Sequence, residues 1–503
     1  MSRNWIYAVA LAFCAPSVGL AQTGVNSYYN QSPELFGVSY RQDESTVVAA
    51  PANDISAELE ALKLRIAELE KSNAASGDAI DTKRLVDLEK GLEENSKAID
   101  KVSDTLPSLV NHGHKKPSMK LSGRIHLDYW GFPEAESGLF ALEGGNPQDR
   151  FAFRRLRLGV AGNLSENVRY KYEGEFAGGN NVEYRDAYMG FDNLPWLETV
   201  LVGNHKRPYG LDHLNSSRFN VFLERPFGIE AFNQDARRLG ISANGVSKNQ
   251  VWNWRYGVWN QDLIQDSAGY IGDHYQLEAA GRLAATPWYD ETSDGRGYAH
   301  FAVSGMVGTP DGRPGSTNNQ ARYRTRPEAR SSGRWLDTGA IAGADTNSLI
   351  GLETAINVGA FQFVGEYQQV TVERSGGAGP DVTFDGGYVQ ASYFLTGEHI
   401  PWDRETGTID RIKPFQNFFA VRDCAGCPER GWGAWQVATR YSTLDLTDAD
   451  IIGGVGNAWT FALNWYWNPY ARLQTNYSIG EIDRAPLGSG DYQTIGMRMS
   501  VDF

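Results

Sequence analysis

From Lys120 to its last residue the chain alternates between two kinds of side chain with a period of two, and that pattern demands a wall with two unlike faces. In the first such segment Lys120, Ser122, Arg124, His126 and Asp128 share one face, while Leu121, Ile125, Leu127 and Tyr129 share the other. A later segment sets Arg169, Lys171, Glu173 and Glu175 against Val168, Tyr170, Tyr172 and Phe176. Near the end, Trp459, Phe461, Leu463, Trp465 and Trp467 alternate with Thr460, Ala462, Asn464, Tyr466 and Asn468. Large apolar residues opposite charges and amides suit a sheet with lipid on one side and water on the other. A soluble barrel reverses this arrangement, with small fitted residues inside and polar ones outside.

About sixteen such segments can be counted, an even number as single-chain bacterial barrels require. They fall near 119–131, 150–163, 168–178, 183–192, 198–206, 237–246, 250–260 and 275–286, then 297–308, 347–358, 359–372, 386–397, 432–445, 457–468, 470–481 and 490–503. With the N-terminus periplasmic, short turns at 164–167, 193–197 and 468–469 alternate with longer connections at 132–149, 207–236 and 309–346. The segment 398–431 belongs to the short series yet is long. The last strand places Ile495, Met497, Met499, Val501 and Phe503 on the lipid face and ends in an aromatic residue, the usual mark for barrel assembly in the outer membrane. Composition agrees: aromatics make up 12%, glycine numbers 55, and no apolar run of transmembrane-helix length follows the N-terminus. The expected fold is an all-β transmembrane barrel of 16 antiparallel strands over 117–503, preceded by an α-helical coiled-coil segment.

Residues 1–21 read as a signal peptide, with Arg3 before a short apolar core and Gly19-Leu20-Ala21 as the cleavage site. A polar linker fills 22–54. Heptads over 55–106 then place Ile55, Leu59, Leu62, Ile66 and Leu69 on one seam, and after a break Leu85, Leu88, Leu92, Asn95, Ile99, Val102 and Leu106 on another. The expectation is a self-associating periplasmic stalk; the alternative is an amphipathic helix packed on the chain's own barrel. Cys424 and Cys427 stand in a turn-rich stretch, followed by Pro428 and Gly431 rather than a helix. That setting favours a local disulfide of an oxidising compartment over a redox pair. The net charge of −14 argues against a nucleic-acid binder. No cofactor, nucleotide or metal motif rises above background. His126, His205, His213, His274 and His300 are present, but no serine lies in a strained nucleophile turn, so an enzyme is not expected.

The barrel region resembles the phosphate-selective porin O and P family. The resemblance rests on Phe153-Arg154-Arg155-x-Arg157-Leu158-Gly159, Tyr184-Arg185-Asp186-Ala187-Tyr188, and Pro208-Tyr209-Gly210-Leu211 followed by Ser216-Ser217 and Leu223-Glu224-Arg225. It continues with Tyr393-Phe394-Leu395-Thr396-Gly397-Glu398, Lys413-Pro414, Gly433-Ala434-Trp435, Arg440-Tyr441 and Asn464-Trp465-Tyr466-x-Asn468. It implies a homotrimer of 16-stranded barrels in outer-membrane lipid, with inward-folded loops and a ladder of Arg and Lys that draws anions to a narrow zone. The segments 207–236 and 398–431 are the ones expected to fold into the lumen.

Alternation alone turns Arg124, Arg155, Arg157, Arg169 and Lys171 toward water, and Arg154 can join Arg155 only if the strand bulges. Arg218 and Arg225 lie in the inward loop. The resemblance places Arg124, Arg154, Arg155, Arg169 and Asp186 where family members carry pore-lining charges. It also puts His213 where a strongly anion-selective member presents Lys, so this position would gain charge only in acid. Glu173 and Glu175, on the face of Arg169 and Lys171, are expected to neutralise part of the field. Two readings of transport follow: a channel preferring small anions or phosphate, and a general porin with mild or no ion preference. A second role for the stalk, contact with the cell wall, is compatible with both.

Overall fold

The computed structural model describes residues 116–178, 181–233, 237–264, 271–272, 275–311, 319–422 and 428–503. The expected signal peptide, linker and coiled coil, as well as Cys424, Cys427 and His274, lie outside the described residues.

Sixteen strands pair antiparallel, each with its neighbours in chain order, and the first closes on the last. They are β1 (Lys120–Ala135), β2 (Arg150–Asn163), β3 (Val168–Glu175), β4 (Glu183–Leu194), β5 (Glu198–Lys206), β6 (Arg237–Val246), β7 (Trp252–Asn260) and β8 (Leu277–Tyr289). The second half comprises β9 (Gly297–Gly308), β10 (Ala344–Val358), β11 (Phe361–Arg374), β12 (Val382–Phe394), β13 (Ala434–Asp448), β14 (Ile451–Asn468), β15 (Ala471–Arg484) and β16 (Gly488–Asp502). All sixteen expected strands are present, with edges shifted by up to six residues. The largest shift is at β14, which begins at Ile451 where periodicity placed residue 457.

Closure leaves no unpaired edge, which lipid could not solvate. At the seam Gly123 and Phe503 exchange both backbone hydrogen bonds, at 2.9 and 3.1 Å. The Phe503 ring covers Gly123 so closely that a Cβ there would sit 2.4 Å from it. Outward residues form the apolar belt the alternation required: Trp459, Phe461, Leu463, Met497 and Met499 are all exposed, while Thr460 and Asn464 between them are buried. Toward the end where β1 begins, Trp435 and Trp465 stack at 4.9 Å with Phe418 edge-on to Trp465 at 4.5 Å. This is the interfacial aromatic girdle of a membrane barrel.

The end of the barrel where β1 begins carries the turns, several of them tight. Gly359 supplies the positive φ of 58° that the two-residue hairpin between β10 and β11 needs. The opposite end carries the loops, although two of these, at 449–450 and 485–487, are as short as turns.

A sixteen-stranded barrel is wide enough to hold water, and here three segments narrow it. From the loop end, 207–233 enters with the short helices α1 (Leu211–Leu214) and α2 (Phe227–Asn233). From the turn end, the hairpin of Trp402–Asp403 and Thr408–Ile409 enters. The two meet where the Ile409 amide donates to Asn215 Oδ1 at 3.1 Å. Both were expected. The third, 319–343, was expected only as a long loop; it also folds inward, and Phe232 packs edge-on against Tyr323 at 5.8 Å.

The reason is visible on the inner face of the far wall. Leu349, Val370, Val372, Val382, Phe384, Leu444 and Leu446 are buried there, and near the loop end their outward neighbours Gln369, Thr383, Thr443 and Thr447 are polar, so the alternation is inverted. They form one core with Phe227, Tyr323, Trp335 and Ile341 of the two loops. A second core nearer the turns seats Ile400, Trp402, Ile409 and Ile412 against Tyr298, Val364, Tyr388 and Ala438. Each large side chain so buried contributes on the order of 1.5–3 kcal/mol.

Candidate pore constriction

The charged side of the lumen is built from β1 to β6. The register between β1 and β2 pairs His126 with Arg155 and the next residue, Leu127, with Phe153, leaving Arg154 as the extra residue of a bulge. This is the departure that lets adjacent arginines both face inward. A second bulge, in β4, lies where Tyr172 pairs with Ala187 but Gly174 pairs with Tyr184. It breaks the alternation around Arg185 and Asp186.

Most of these charges find partners. Arg124 donates to Glu173 Oε2 at 2.6 Å and to Ser217 Oγ at 2.9 Å. Arg157 spans Glu175 at 2.5 Å and Glu173 at 2.8 Å. Arg154 grips Glu224 of the inward loop with two bonds, of 2.6 and 2.9 Å, the planar fork geometry that arginine provides. Lys171 lies 2.6 Å from Asp186, which also accepts from Arg237 at 2.7 Å. Arg225 pairs with Asp212 at 3.2 Å, and Arg218 with Asp502 at 3.3 Å. Arg169 lies at the turn end, half-buried and 3.4 Å from Asp192. Glu173 and Glu175 do neutralise bases, but those of β1 and β2 rather than Arg169 and Lys171 on their own strand.

Arg155 differs from all of these. It is 9% exposed, its Nε is buried without a partner, and among the described residues its side chain makes no ion pair or hydrogen bond. Its charged surroundings are mainly cations, Arg157, Arg154 and Arg225, with Glu224 as the opposing charge.

His213 departs from expectation. It is 1% exposed in α1, stacked on Tyr209 at 6.0 Å, and burial beside Lys206 and Arg225 holds its imidazole well below the usual range. It therefore does not present a charge to the lumen in mild acid. Lys206, which sequence reasoning passed over, brings a charge to the same helix. Its Nζ donates to the carbonyls of His213, Leu214 and Asn215 at 2.8, 2.7 and 2.9 Å, capping the negative end of α1. Its place as the last residue of β5, before Arg207-Pro208, was the available signal.

The inward segments are fixed by buried acids. Glu366 of β11 accepts from the amides of Leu211 and Asp212 at 2.5 and 2.7 Å and from Tyr388 Oη at 2.5 Å. Glu328 of the third segment accepts from Arg440 at 2.5 Å and Thr460 at 3.1 Å. The turn-end hairpin is held by its backbone: Arg255 donates to Thr406 O at 2.6 Å, Arg282 to Gly407 O at 3.0 Å, and Asn253 to Glu405 O.

A closed barrel with an apolar belt outside and a charged, loop-narrowed lumen is a membrane channel. The chain belongs to the phosphate-selective porin O and P family, whose model matches residues 119–503. An uncharacterized protein of Caulobacter vibrioides is 32% identical over 399 residues, covering 77% of this chain and 74% of that one. Porin O of Pseudomonas aeruginosa is 23% identical over 410 residues, covering 75% and 86%. Among solved structures, an anion-selective porin from Comamonas acidovorans aligns with a TM-score of 0.45 and 15% identity, over 76% of this chain and 98% of that one. Family and fold make this chain an outer-membrane channel rather than an enzyme.

Proposed function

We propose that the channel passes small hydrophilic solutes with a preference for anions, phosphate among them. The observation that carries this is Arg155, a buried cation between two further arginines with no carboxylate of its own. A pore selects by lining its narrow part with charge opposite to the permeant ion, and an uncompensated guanidinium offers a small oxyanion a planar pair of donors. The surrounding acids bear on how strong the preference is: with Arg124, Arg154, Arg157, Lys171 and Arg225 paired, the field is far weaker than a count of bases suggests. The test is the reversal potential of the purified protein in a planar bilayer across a salt gradient. A potential of anion sign, with chloride current blocked by added phosphate, supports the reading; a cation-selective or indifferent channel refutes it and leaves a general porin.

Assembly as a homotrimer belongs to the same proposal. Strands β3, β5 and β7 are 8, 9 and 9 residues long, at the lower limit of about 9–11 for a tilted transmembrane strand. Strands β13 to β16 run from 14 to 18 residues. A low wall of this kind fits shelter by neighbouring copies, which cross-linking in detergent would register as a trimer.

A further inference from the structure

The residues just ahead of β1 cross the outer face of the sheet at its turn end. The Ser118 amide donates to the Asn163 carbonyl and the Asn163 amide to Ser118 Oγ, at 2.8 and 2.9 Å, which ties the chain to the end of β2. The Ser118 carbonyl accepts from Tyr170 Oη of β3 at 3.2 Å and lies over Gly162, where a Cβ would meet it at 1.9 Å. Gly162 and Tyr170 are in step with Leu158 and Tyr172, exposed outward residues of the same two strands. Glycine at 162 is therefore what lets the backbone pass. One step further back, Lys116 forms an ion pair with Glu166 of the β2–β3 turn. Followed backwards from Lys120, the chain moves sideways along the rim, from β1 over β2 to the start of β3.

The next feature along that rim is the turn between β4 and β5. The Asp192 amide joins it to the β2–β3 turn by donating to Asn167 O at 2.9 Å. Three non-glycine residues here, Asn193, Trp196 and Glu198, have positive φ of 60, 66 and 54°. Asparagine tolerates this left-handed region, but a side chain as bulky as tryptophan rarely enters it. The strained backbone holds Trp196 out, 96% exposed, with Leu197 exposed beside it. Next to them Asp192, Asn193, Leu194, Pro195, Glu198 and Thr199 line a cleft of about 530 Å³, part acidic and part apolar. Asp192 lies 3.4 Å from Arg169, and Glu198 accepts from the Val246 amide at 3.2 Å. Strain kept at a solvent-facing tryptophan beside such a cleft points to a contact that answers it.

The sequence immediately ahead of Lys116 has the matching chemistry. The stretch from Pro107 to Lys115 contains no carboxylate, carries Leu109 and Val110, and ends in His112, His114 and Lys115. Extended, it reaches roughly 30 Å, and the two turns are about two strand spacings apart, roughly 10 Å.

We propose that residues 107–115 continue this sideways course as a strap on the β4–β5 turn of the same chain. Leu109 and Val110 cover Trp196 and Leu197, and the basic end faces Asp192 and Glu198. Lipid headgroups are the other natural cover for a rim tryptophan, but the two carboxylates disfavour anionic ones. The strap runs along the rim of the low wall, β3 to β7, and is independent of which ions pass and of how many copies assemble.

The test places photoreactive p-benzoylphenylalanine at position 196 of the full-length protein, in vesicles of phosphatidylethanolamine and phosphatidylglycerol. Irradiation, digestion and mass spectrometry then identify what the ring touches. A cross-link within one chain to a residue of 107–115 is expected. A cross-link to phospholipid, to a second copy or to any other segment overturns the strap, and so does the absence of a cross-link. Trypsin supplies a second readout, because Lys115 is a cleavage site inside the strap. Trp196→Ser should raise the rate of cutting after Lys115 several-fold in folded barrels, and Trp196→Phe, which keeps an aromatic ring, should stay near the wild-type rate. An unchanged rate in Trp196→Ser overturns the strap.

Discussion

The two walls of the barrel have the same backbone and opposite interiors. From β1 to β6 the inner face carries Arg124, His126, Asp128, Arg155, Arg157, Lys171, Glu173, Glu175 and Asp186, together with bulges that bring Arg154 inward and disturb the spacing at Arg185. From β9 to β14 it carries Leu349, Val364, Val370, Val372, Phe384, Leu444 and Leu446, with sparse charges such as Glu353, Glu366 and Arg440. The loops go where the apolar surface is. Their Trp, Phe, Tyr and Ile side chains seat on the far wall, while Ser217 and Glu224 of the first loop reach across to Arg124 and Arg154 of the charged wall. Which inward charges are paired depends as much on where the loops pack as on which bases line the strands.

That comparison can be broken at several points. The largest effect is expected from Arg155→Gln on the charged wall. A unit charge at 4 Å is worth about 4 kcal/mol under an effective dielectric of 20, and a third of that is about tenfold in ion preference. The anion-to-cation permeability ratio should fall by roughly that factor, whereas Arg157→Gln, which leaves Glu175 without its ion-pair partner, should shift preference toward cations while destabilising the wall. On the packed wall, Trp402→Ala should loosen the turn-end hairpin by about 3–5 kcal/mol of lost packing. Conductance should rise with little change in ion preference; unchanged conductance would show that the hairpin does not obstruct the path.

A smaller effect is expected where the walls are linked. Glu366→Gln replaces one of the two carboxyl oxygens that accept from two amides and Tyr388, at a cost of about 1–3 kcal/mol. The 207–233 segment should become accessible to protease and the open current noisier. The smallest concerns His213. Burial depresses its pKa in the folded state, so the unfolded or undocked loop binds the proton first. Docking is then weakened as pH falls below about 6.5, the ordinary imidazole value. Current noise should grow in acid in the wild type and stay level in His213→Gln; a clean gain of anion preference in acid would mean instead that His213 charges in place.

Much of this was legible in the sequence because it is local. Alternation at β1, β3, β14 and β16 named the correct inward and outward residues, and Arg154-Arg155 could both face water only through a bulge, which the register places at Arg154. The inward fold of 319–343 was not legible. Its anchor, Glu328, is one acid among many until Arg440 and Thr460 are brought around it, 112 and 132 residues away. Nor was the inner apolar face of β10 to β13: stretches such as Thr443-Leu444-Asp445-Leu446 still alternate, but their apolar side is turned to the loops instead of to lipid, an inversion that only the docked loops explain.

The sequence alone determined a two-faced wall, its sixteen strands, the lipid side and the set of charges turned inward, because a period of two is a property of neighbouring residues. Only the tertiary structure decided which of those charges are spent. Arg498 meets Asp128 across 370 residues and Arg154 meets Glu224 across 70, while Arg155 forms no ion pair among the described residues. Neutralisation depends on strand register and on the path of loops through the lumen, and both are fixed only when the sheet closes and its interior is filled.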